Sequence, residues 1–329
     1  MENNEKKSKA GIWLALIMII LLVLVGALYY MKYVDQPKAN VESNTNTETA
    51  VSEKTSAKLT MTEEEFPKVD GATAMLPMIG EMTKNIMGYT EEEAQKYLDE
   101  YTQGKTAKVY KGLIDKKTDV IFASEPSDDI LKQAKEAGVE FEMVGIGYDG
   151  FVFLVNQANK VNSLTLEQIQ DIYTGDITNW KEVGGEDAEI IAYQREQNSG
   201  SQNLMEKMVM KGKKMKDPAS NNLMISSMEG LIDGVASYEN SKYSIGYSIY
   251  LYAKEQYVKN SVKFLKINGV EATDENISNK SYPLTKVVYA IMRKDEPENS
   301  SARKLVKYLL TEEGQKIVKA GGYVTLNQK

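Results

Sequence analysis

From Phe66 onward, segments of strand character alternate with helix-like segments along the chain. TDVIFAS precedes SDDILKQAKEAG, and FEMVGIG and GFVFLVN precede SLTLEQIQDIYTG. This alternation is typical of α/β folds with largely parallel sheets. Near-continuous apolar runs such as VIFA and FVFLV suit strands that are buried on both faces. The sequence therefore predicts an α/β fold with largely parallel strands.

Two strand-like stretches indicate that the chain passes twice between two lobes. GYDGFVFLVN (residues 147–156) contains a glycine-bearing turn, and SIGYSIYLYA (residues 244–253) is a second such strand. Two passages would build one lobe from separated segments and the other lobe from the middle of the chain. We predict lobe 1 from residues 61–149 and 245–329, and lobe 2 from residues 150–244. A cleft between lobes is a common place for a ligand.

The N-terminal region contains a long apolar run without charge, AGIWLALIMIILLVLVGALYYM (residues 10–31). At about 1.5 Å per residue, a helix of this run would measure about 33 Å, enough to cross a hydrocarbon core of about 30 Å. Trp13 and Tyr30 occupy interfacial positions, and three lysines before the run favour a cytoplasmic N-terminus. We predict a transmembrane anchor over residues 10–33 and a cytoplasmic tip over residues 1–9.

The alternative for this run is a cleaved signal peptide. Such a peptide has a shorter apolar core of about 7–15 residues and ends in an A-x-A-like site. This run is longer and ends in the bulky GALYYMKY, which favours the anchor. Residues 34–60 are rich in Asn, Thr, Ser and Glu, a composition typical of a flexible, disordered linker. We therefore expect a single-pass protein of the cell membrane with an extracellular globular part.

The composition excludes several classes of function. The chain has no cysteine and no histidine, a formal net charge of −7 and a pI near 5.1. These absences exclude disulfides, a cysteine-linked lipid anchor, thiol nucleophiles, a Ser-His-Asp triad and the commonest metal ligand. The acidic balance argues against a nucleic-acid partner. We predict no catalytic residues, no cofactor and no metal, although paired carboxylates keep an enzyme as an alternative.

Three short polar stretches each precede a helix-like segment: DGATA (residues 70–74), ASEPS (residues 123–127) and NSGS (residues 198–201). Helix N-termini carry unpaired N–H groups and a partial positive charge, so they bind anions readily. Arg195 would add a permanent, forked cation suited to two oxygens at once. The alternative is that these serines and threonines are ordinary helix caps.

The globular region, from about residue 66 to residue 326, resembles the phosphate-binding proteins of ABC transporters in the type II periplasmic-binding-protein superfamily. GATA, ASE and REQNSGS are similar to that family's G-A-T-x, A-S-D and R-x-x-x-S-G-T loops. SLTLEQIQDIYTGDITNWKEVGG, SIGY and TEEGQKIVKAGGYVTL match further segments. The resemblance implies a two-lobed Venus-flytrap fold that captures inorganic phosphate and delivers it to ABC permease subunits. It implies these ligand-binding residues: Thr73, Ala74, Ser124, Glu125, Arg195, Ser199, Gly200 and Ser201.

Glu125 departs from the family pattern, in which an aspartate accepts the proton of phosphate. Sulfate carries no such proton at neutral pH, so a carboxylate that faces it rejects it. Glu125 is one methylene longer than aspartate and is followed directly by Pro126. Glu125, Asp128 or Asp149 could take this role, or the site could prefer another oxyanion such as sulfate, molybdate or tungstate.

Other functions remain as alternatives. The same fold could serve as a tethered oxyanion sensor or scavenger that acts through a partner membrane protein. An enzyme is disfavoured by the lack of histidine and cysteine, and a purely adhesive domain predicts no small-molecule pocket. The tyrosine-rich stretch SKYSIGYSIYLYAKEQY could stack carbohydrate, but tyrosines at a strand of this kind are more often packing residues.

Overall fold

A computed structural model describes residues 58–218, 220, 223–237 and 241–326, all within the unit Glu53–Lys329. The predicted cytoplasmic tip, the predicted anchor and nearly all of the predicted linker lie outside the described residues. Within them, no helix combines the length and apolar character that crossing a membrane requires.

Polar caps mark where most of the helices begin. Thr90 and Thr165 form capping boxes, in which each side chain accepts from a backbone N–H three residues on. Ser127 caps its helix by accepting from the N–H of Ile130. The α-helices are α1 (Leu76–Met82), α2 (Glu91–Tyr101), α3 (Thr106–Ile114), α4 (Asp128–Glu136), α5 (Leu166–Thr174), α6 (Gly200–Leu204), α7 (Met228–Ala236), α8 (Asp274–Ser278), α9 (Ser301–Leu309) and α10 (Glu312–Ala320).

Turns of other types extend α1 and α6 and also occur apart from the α-helices. Single 3₁₀ turns occur at Thr73–Met75, directly before α1, and at Trp180–Val183 and Ser241–Tyr243. Turns of π-helix follow α1 at Thr83–Met87 and α6 at Met205–Met210, and a further one occupies Tyr252–Gln256.

The strands are β1 (Val69–Gly71), β2 (Val120–Ala123), β3 (Phe141–Asn156), β4 (Ser163–Leu164), β5 (Ile191–Ala192), β6 (Gln194–Arg195), β7 (Met224–Ile225), β8 (Ser244–Ile249), β9 (Val262–Phe264), β10 (Lys266–Ile267) and β11 (Thr285–Arg293). Seven of them form one sheet in the order β1-β2-β11-β3-β8-β5, with β9 also paired to β3. Two small sheets pair β4 with β10 and β6 with β7.

Strand β3 connects the two ends of the main sheet. Its first ten residues run antiparallel beside β11, from Phe141 opposite Arg293 to Gly150 opposite Thr285, with a register shift that leaves Ile146 unpaired with β11. From Phe151 onward it pairs antiparallel with β8 instead. One strand therefore crosses the sheet from one set of neighbours to another, and the change of partner falls at Gly150.

The expected α/β class is confirmed, but the expectation of largely parallel strands is wrong. β1 and β2 are parallel, as are β5 and β8, whereas β11 is antiparallel to both of its neighbours. Apolar runs record burial on both faces, and such burial suits an inserted antiparallel strand as well as a parallel one. The direction of β11 depends on a return of the chain from residues far along the sequence, which a local pattern does not encode.

The hydrophobic core falls into clusters at the two ends of β3. One includes Phe151, Phe153, Trp180 and Tyr247, and another includes Met78, Phe122 and Leu305, among others. Tyr247 is fully buried and packs edge-on against the rings of Phe153 and Tyr173. The tyrosine-rich stretch thus contributes to core packing, the interpretation that the sequence favoured.

The pairing of the later strands bears on the predicted lobes. β8 and β9 pair with the second part of β3, and β10 pairs with β4. Apart from Ser244, the first residue of β8, these strands lie within residues 245–329, predicted for lobe 1, and their partners lie in residues 150–244, predicted for lobe 2. Ile277 and Leu284 also pack in the cluster around Phe151. The chain therefore stays beside the second part of β3 until residue 284. It returns to the first part of β3 only with β11.

Candidate functional site

A cavity of about 740 Å³ lies among the loops and helix starts that carry the predicted ligand residues. Its wall includes residues from the loop before α1, the start of α3, the segment between β6 and α6, and the start of α7. The predicted residues that line it are Thr73, Ala74, Ser124, Arg195, Ser199, Gly200 and Ser201. Three stretches far apart in sequence thus meet at one cavity.

Arg195 is a buried cation of this cavity, with 6% of its surface exposed. Its Nε donates to the carbonyl of Ile225 at 2.9 Å, its Nη1 to the hydroxyl of Ser201 at 3.0 Å, and its Nη2 to the carbonyl of Ser226 at 3.1 Å. A guanidinium has five N–H donors, so among the described residues two remain for a ligand. All three partners are neutral, which leaves the positive charge without a hydrogen-bonded carboxylate.

Burial lowers the pKa of the Arg195 guanidinium, while the nearby Tyr247 and Glu229 act in the opposite direction. Arginine nevertheless stays charged in proteins because its unperturbed pKa is above about 12. A charge that is removed from water and held only by neutral oxygens is costly unless an opposite charge approaches it. The environment of Arg195 therefore favours an anion in the cavity.

The start of α6 faces the same space. Ser199 caps the helix by accepting from the N–H of Gln202 at 3.3 Å, and the next two N–H groups begin the helix without intrahelical partners. Gly200 is needed for close approach, because a Cβ there would lie 2.7 Å from the hydroxyl oxygen of Thr106. Two backbone donors and two serine hydroxyls thus converge beside Arg195.

Thr73 and Ala74 form the 3₁₀ turn that leads into α1. The hydroxyl of Thr73 donates to the carbonyl of Gly104 at 2.8 Å, so it must rotate before it can donate to a ligand. The carbonyl of Ala74 accepts from the hydroxyl of Tyr323 at 2.5 Å and from the side-chain amide of Gln256 at 3.0 Å. These bonds fix the turn at the cavity wall.

Ser124 and Glu125 are neighbours in sequence but differ in position. Ser124 is buried and lines the cavity. Glu125 is not among the lining residues, and half of its side chain is exposed. One carboxylate oxygen lies 3.7 Å from Nζ of Lys207, and the other accepts from the hydroxyl of Tyr289 at 3.4 Å. The structure therefore does not bring Glu125 to the other predicted residues.

The two other carboxylates considered for the same role also lie outside the cavity lining. Asp128 is exposed in the first turn of α4. Asp149 is buried and lies 3.7 Å from Nζ of Lys286, its cross-strand partner in β11. Burial raises the pKa of the Asp149 carboxyl and lowers the pKa of the Lys286 ammonium, and the attraction between the two opposes both shifts. Of this pair, Lys286 lines the cavity.

Sequence reasoning missed Glu229, which lines the cavity at the start of α7. Its carboxylate accepts a short hydrogen bond from the hydroxyl of Tyr252, another lining residue. The available signal was the string SSMEG, a fourth small polar stretch before a helix, in which Ser227 accepts from the N–H of Gly230. No described cluster of acidic side chains could hold a metal ion.

Comparison with known proteins gives a family and several relatives. A model of the PBP superfamily domain matches residues 43–313. The phosphate-binding protein PstS of Borreliella burgdorferi is 25% identical over 265 residues, which cover 79% of this chain and 90% of that protein. PstS of Staphylococcus saprophyticus is 26% identical over 269 residues, with 80% and 81% covered.

Solved structures agree with these relatives. The structure of a putative phosphate ABC transporter substrate-binding protein from Clostridium perfringens, with bound phosphate, has a TM-score of 0.60 and 30% identity, over 79% of this chain and 98% of that chain. An ABC-type phosphate transport receptor from Vibrio cholerae has a TM-score of 0.56 at 23% identity, over 78% and 98%. At 23% identity, the similarity to the Vibrio cholerae receptor concerns the fold alone.

Proposed function

Because this chain belongs to the PBP superfamily and, within it, to the substrate-binding proteins of phosphate ABC transporters, we propose that it captures inorganic phosphate in the cavity around Arg195. It acts as a binding protein and not as an enzyme. The observation that carries the proposal is the buried guanidinium of Arg195, whose hydrogen-bond partners among the described residues are neutral and leave two N–H groups for a ligand.

The proposed ligand set consists of donors that line the cavity. Arg195 supplies the fixed charge, and bidentate contact between a guanidinium and a phosphate group is among the stronger hydrogen-bonded pairs. The remaining donors are hydroxyls and backbone N–H groups, from Thr73, Ala74, Ser124, Ser199, Gly200 and Ser201. Glu125 is left out of this set because its side chain does not line the cavity.

The proposal includes two lobes joined at the main sheet. The strand pairing supports lobe 1 from residues 61–150 and 285–326, and lobe 2 from residues 151–284, since the partners of β3 change at Gly150. Hinge closure around a ligand is part of the known repertoire of two-lobed proteins. Closure over phosphate would present a defined surface to permease subunits.

We also propose that the binding unit is tethered outside the cell. The apolar run within residues 10–33 and the polar segment of residues 34–60 support an anchor and a spacer. Delivery to ABC permease subunits is the transport role that this arrangement serves.

Isothermal titration of the 329-residue chain, purified in detergent, tests the ligand. We expect heat of binding with phosphate and weaker or no binding with sulfate, molybdate and tungstate. The phosphate assignment would be refuted if the chain binds sulfate, molybdate or tungstate and gives no heat with phosphate. Thermal unfolding with each anion is an independent check, because a ligand that binds only the folded state raises the melting temperature.

A further inference from the structure

We propose that Glu229, held in place by Tyr252, selects oxyanions that carry a proton and thereby lets this cavity take phosphate and reject sulfate. The inference rests on the proposed function and adds a specificity-determining residue to it. It assigns the carboxylate of the site to α7 and not to the loop that contains Glu125.

Glu229 is the half-buried carboxylate of the cavity. It lies in the first turn of α7, and its side chain accepts a hydrogen bond from the Tyr252 hydroxyl at Oε1. No hydrogen bond from a described residue reaches Oε2. Tyr252 is itself 5% exposed, so the packed ring fixes the direction of its hydroxyl. Glu229 thus has one oxygen held by the protein and one left for a ligand.

The same segment positions Glu229 and Arg195. The carbonyls of Ile225 and Ser226 hold the guanidinium of Arg195, and Ser227 then caps the helix that carries Glu229. The charge of Glu229 acts on Arg195, because it favours the charged form of the guanidinium and raises its pKa against the effect of burial. One short stretch of backbone, residues 225–229, therefore carries the acceptor and holds the fixed cation beside one cavity.

An anion that enters this cavity meets Arg195 as a donor and Glu229 as an acceptor. A carboxylate and a fully deprotonated oxyanion can only accept, so they repel when they meet. A phosphate ion at neutral pH has at least one O–H and can donate it to Oε2 of Glu229. The single hydroxyl hydrogen of Tyr252 already points at Oε1, so Tyr252 cannot supply the missing proton for sulfate.

The other carboxylates near the cavity are less suited to this role. Asp99 and Glu196 line it but are exposed, where water can solvate them and weaken their effect on a ligand. Asp149 is engaged with Lys286 and with the N–H groups of Gly150 and Leu251. Glu125 contacts Lys207 and Tyr289 outside the lining.

Titration of the 329-residue chain with phosphate and with sulfate at neutral pH tests the inference on Glu229→Gln, with Glu125→Gln as the matched comparison. Glutamine keeps the shape of the side chain and replaces one acceptor by an N–H₂ donor, which tolerates sulfate. We expect Glu229→Gln to lower the ratio of phosphate affinity to sulfate affinity by about tenfold or more, since an opposed buried acceptor costs about that factor. We expect Glu125→Gln to keep the wild-type ratio.

Tyr252→Phe is a second variant that keeps the carboxylate and removes the hydroxyl that orients it. We expect it to lower the same ratio, by less than Glu229→Gln does. If Glu229→Gln fails to unfold cooperatively, Tyr252→Phe decides, and a wild-type ratio in that variant overturns the inference.

Two further outcomes separate this inference from the proposed function. The inference alone is overturned if the wild-type chain binds phosphate and Glu229→Gln keeps the wild-type ratio of phosphate affinity to sulfate affinity. It is also overturned alone if Glu125→Gln lowers that ratio. A wild-type chain that gives no heat with phosphate overturns the proposed function and the inference with it.

Discussion

At the scale of single residues, Arg195 has the largest expected effect. Replacing it with alanine removes the fixed charge and the two free N–H groups, so we expect phosphate binding to weaken by about 2–5 kcal/mol, or at least about thirtyfold in Kd. Isothermal titration measures the loss. Arg195→Lys is the matched control because it keeps the charge and removes the bidentate guanidinium. It should lose less phosphate affinity than Arg195→Ala. Equal binding by wild type and Arg195→Ala would contradict the proposed site.

Residue chemistry made part of this site predictable. A lone arginine followed by Ser-Gly-Ser predicts a cation beside a helix start, and the structure places Arg195, Ser199 and Gly200 at one cavity. The position of Glu125 was not predictable in the same way. Whether that side chain enters the cavity depends on Lys207 and Tyr289, which lie 82 and 164 residues further along the chain and pair with it only in the fold.

At the scale of secondary-structure elements, the pair Asp149–Lys286 joins β3 to β11 next to the change of strand partner. Both side chains are at most 3% exposed, and the distance between them is 3.7 Å. We expect Lys286→Met to destabilise the fold by about 3–5 kcal/mol at neutral pH, because it leaves a buried carboxylate without its cation. Urea unfolding measures the change. Asp149→Asn combined with Lys286→Met should recover most of the stability.

The loss of stability caused by Lys286→Met should depend on pH in a defined direction. Burial already raises the pKa of Asp149, and removal of the neighbouring ammonium raises it further. The folded variant then binds a proton more tightly than the unfolded chain, so lowering the pH through this raised pKa stabilises it relative to wild type. We expect the deficit to shrink between neutral and mildly acidic pH. A deficit that is constant over this interval would contradict the role of Asp149.

Helix starts and apolar strands were predictable because their causes are local. Ser127, Thr165 and similar caps act on N–H groups three residues away, and the run VIFA reports its own burial. The antiparallel insertion of β11 between β2 and β3 was not predictable, since it pairs residues more than 130 positions apart. The pairing of β8 and β9 with the second part of β3 is non-local for the same reason.

At the scale of the whole molecule, a group of contacts connects the start of α4 and the residues just before it to the segment between β6 and α6 and to the π-helical turn after α6. The hydroxyl of Ser127 donates to the side-chain oxygen of Asn198 at 2.7 Å, and Nζ of Lys207 donates to the carbonyl of Pro126 at 2.7 Å. The side-chain amide of Asn198 also donates to Asp129 at 3.3 Å. In the proposed division these contacts join lobe 1 to lobe 2 beside the cavity.

We expect Lys207→Met to speed the dissociation of phosphate by about three- to tenfold and to change the association rate little, because effects of this kind appear mainly in the dissociation rate. The reason is that the charge-assisted bond to Pro126 would be lost while the ligand contacts remain. Stopped-flow fluorescence measures both rates. The exposed Lys214 offers a matched control, and Lys214→Met should leave both rates unchanged. Equal dissociation rates in Lys207→Met and wild type would show that these contacts do not hold the ligand in.

The continuity of β3 has a consequence for how the protein unfolds. Its 16 residues belong to both ends of the main sheet, so neither hydrophobic cluster can lose its order without exposing a strand that the other requires. The two ends should therefore melt together, as one cooperative unit. We expect a single calorimetric transition, with equal van't Hoff and calorimetric enthalpies. Two resolved transitions would mean that the shared strand does not couple the two ends.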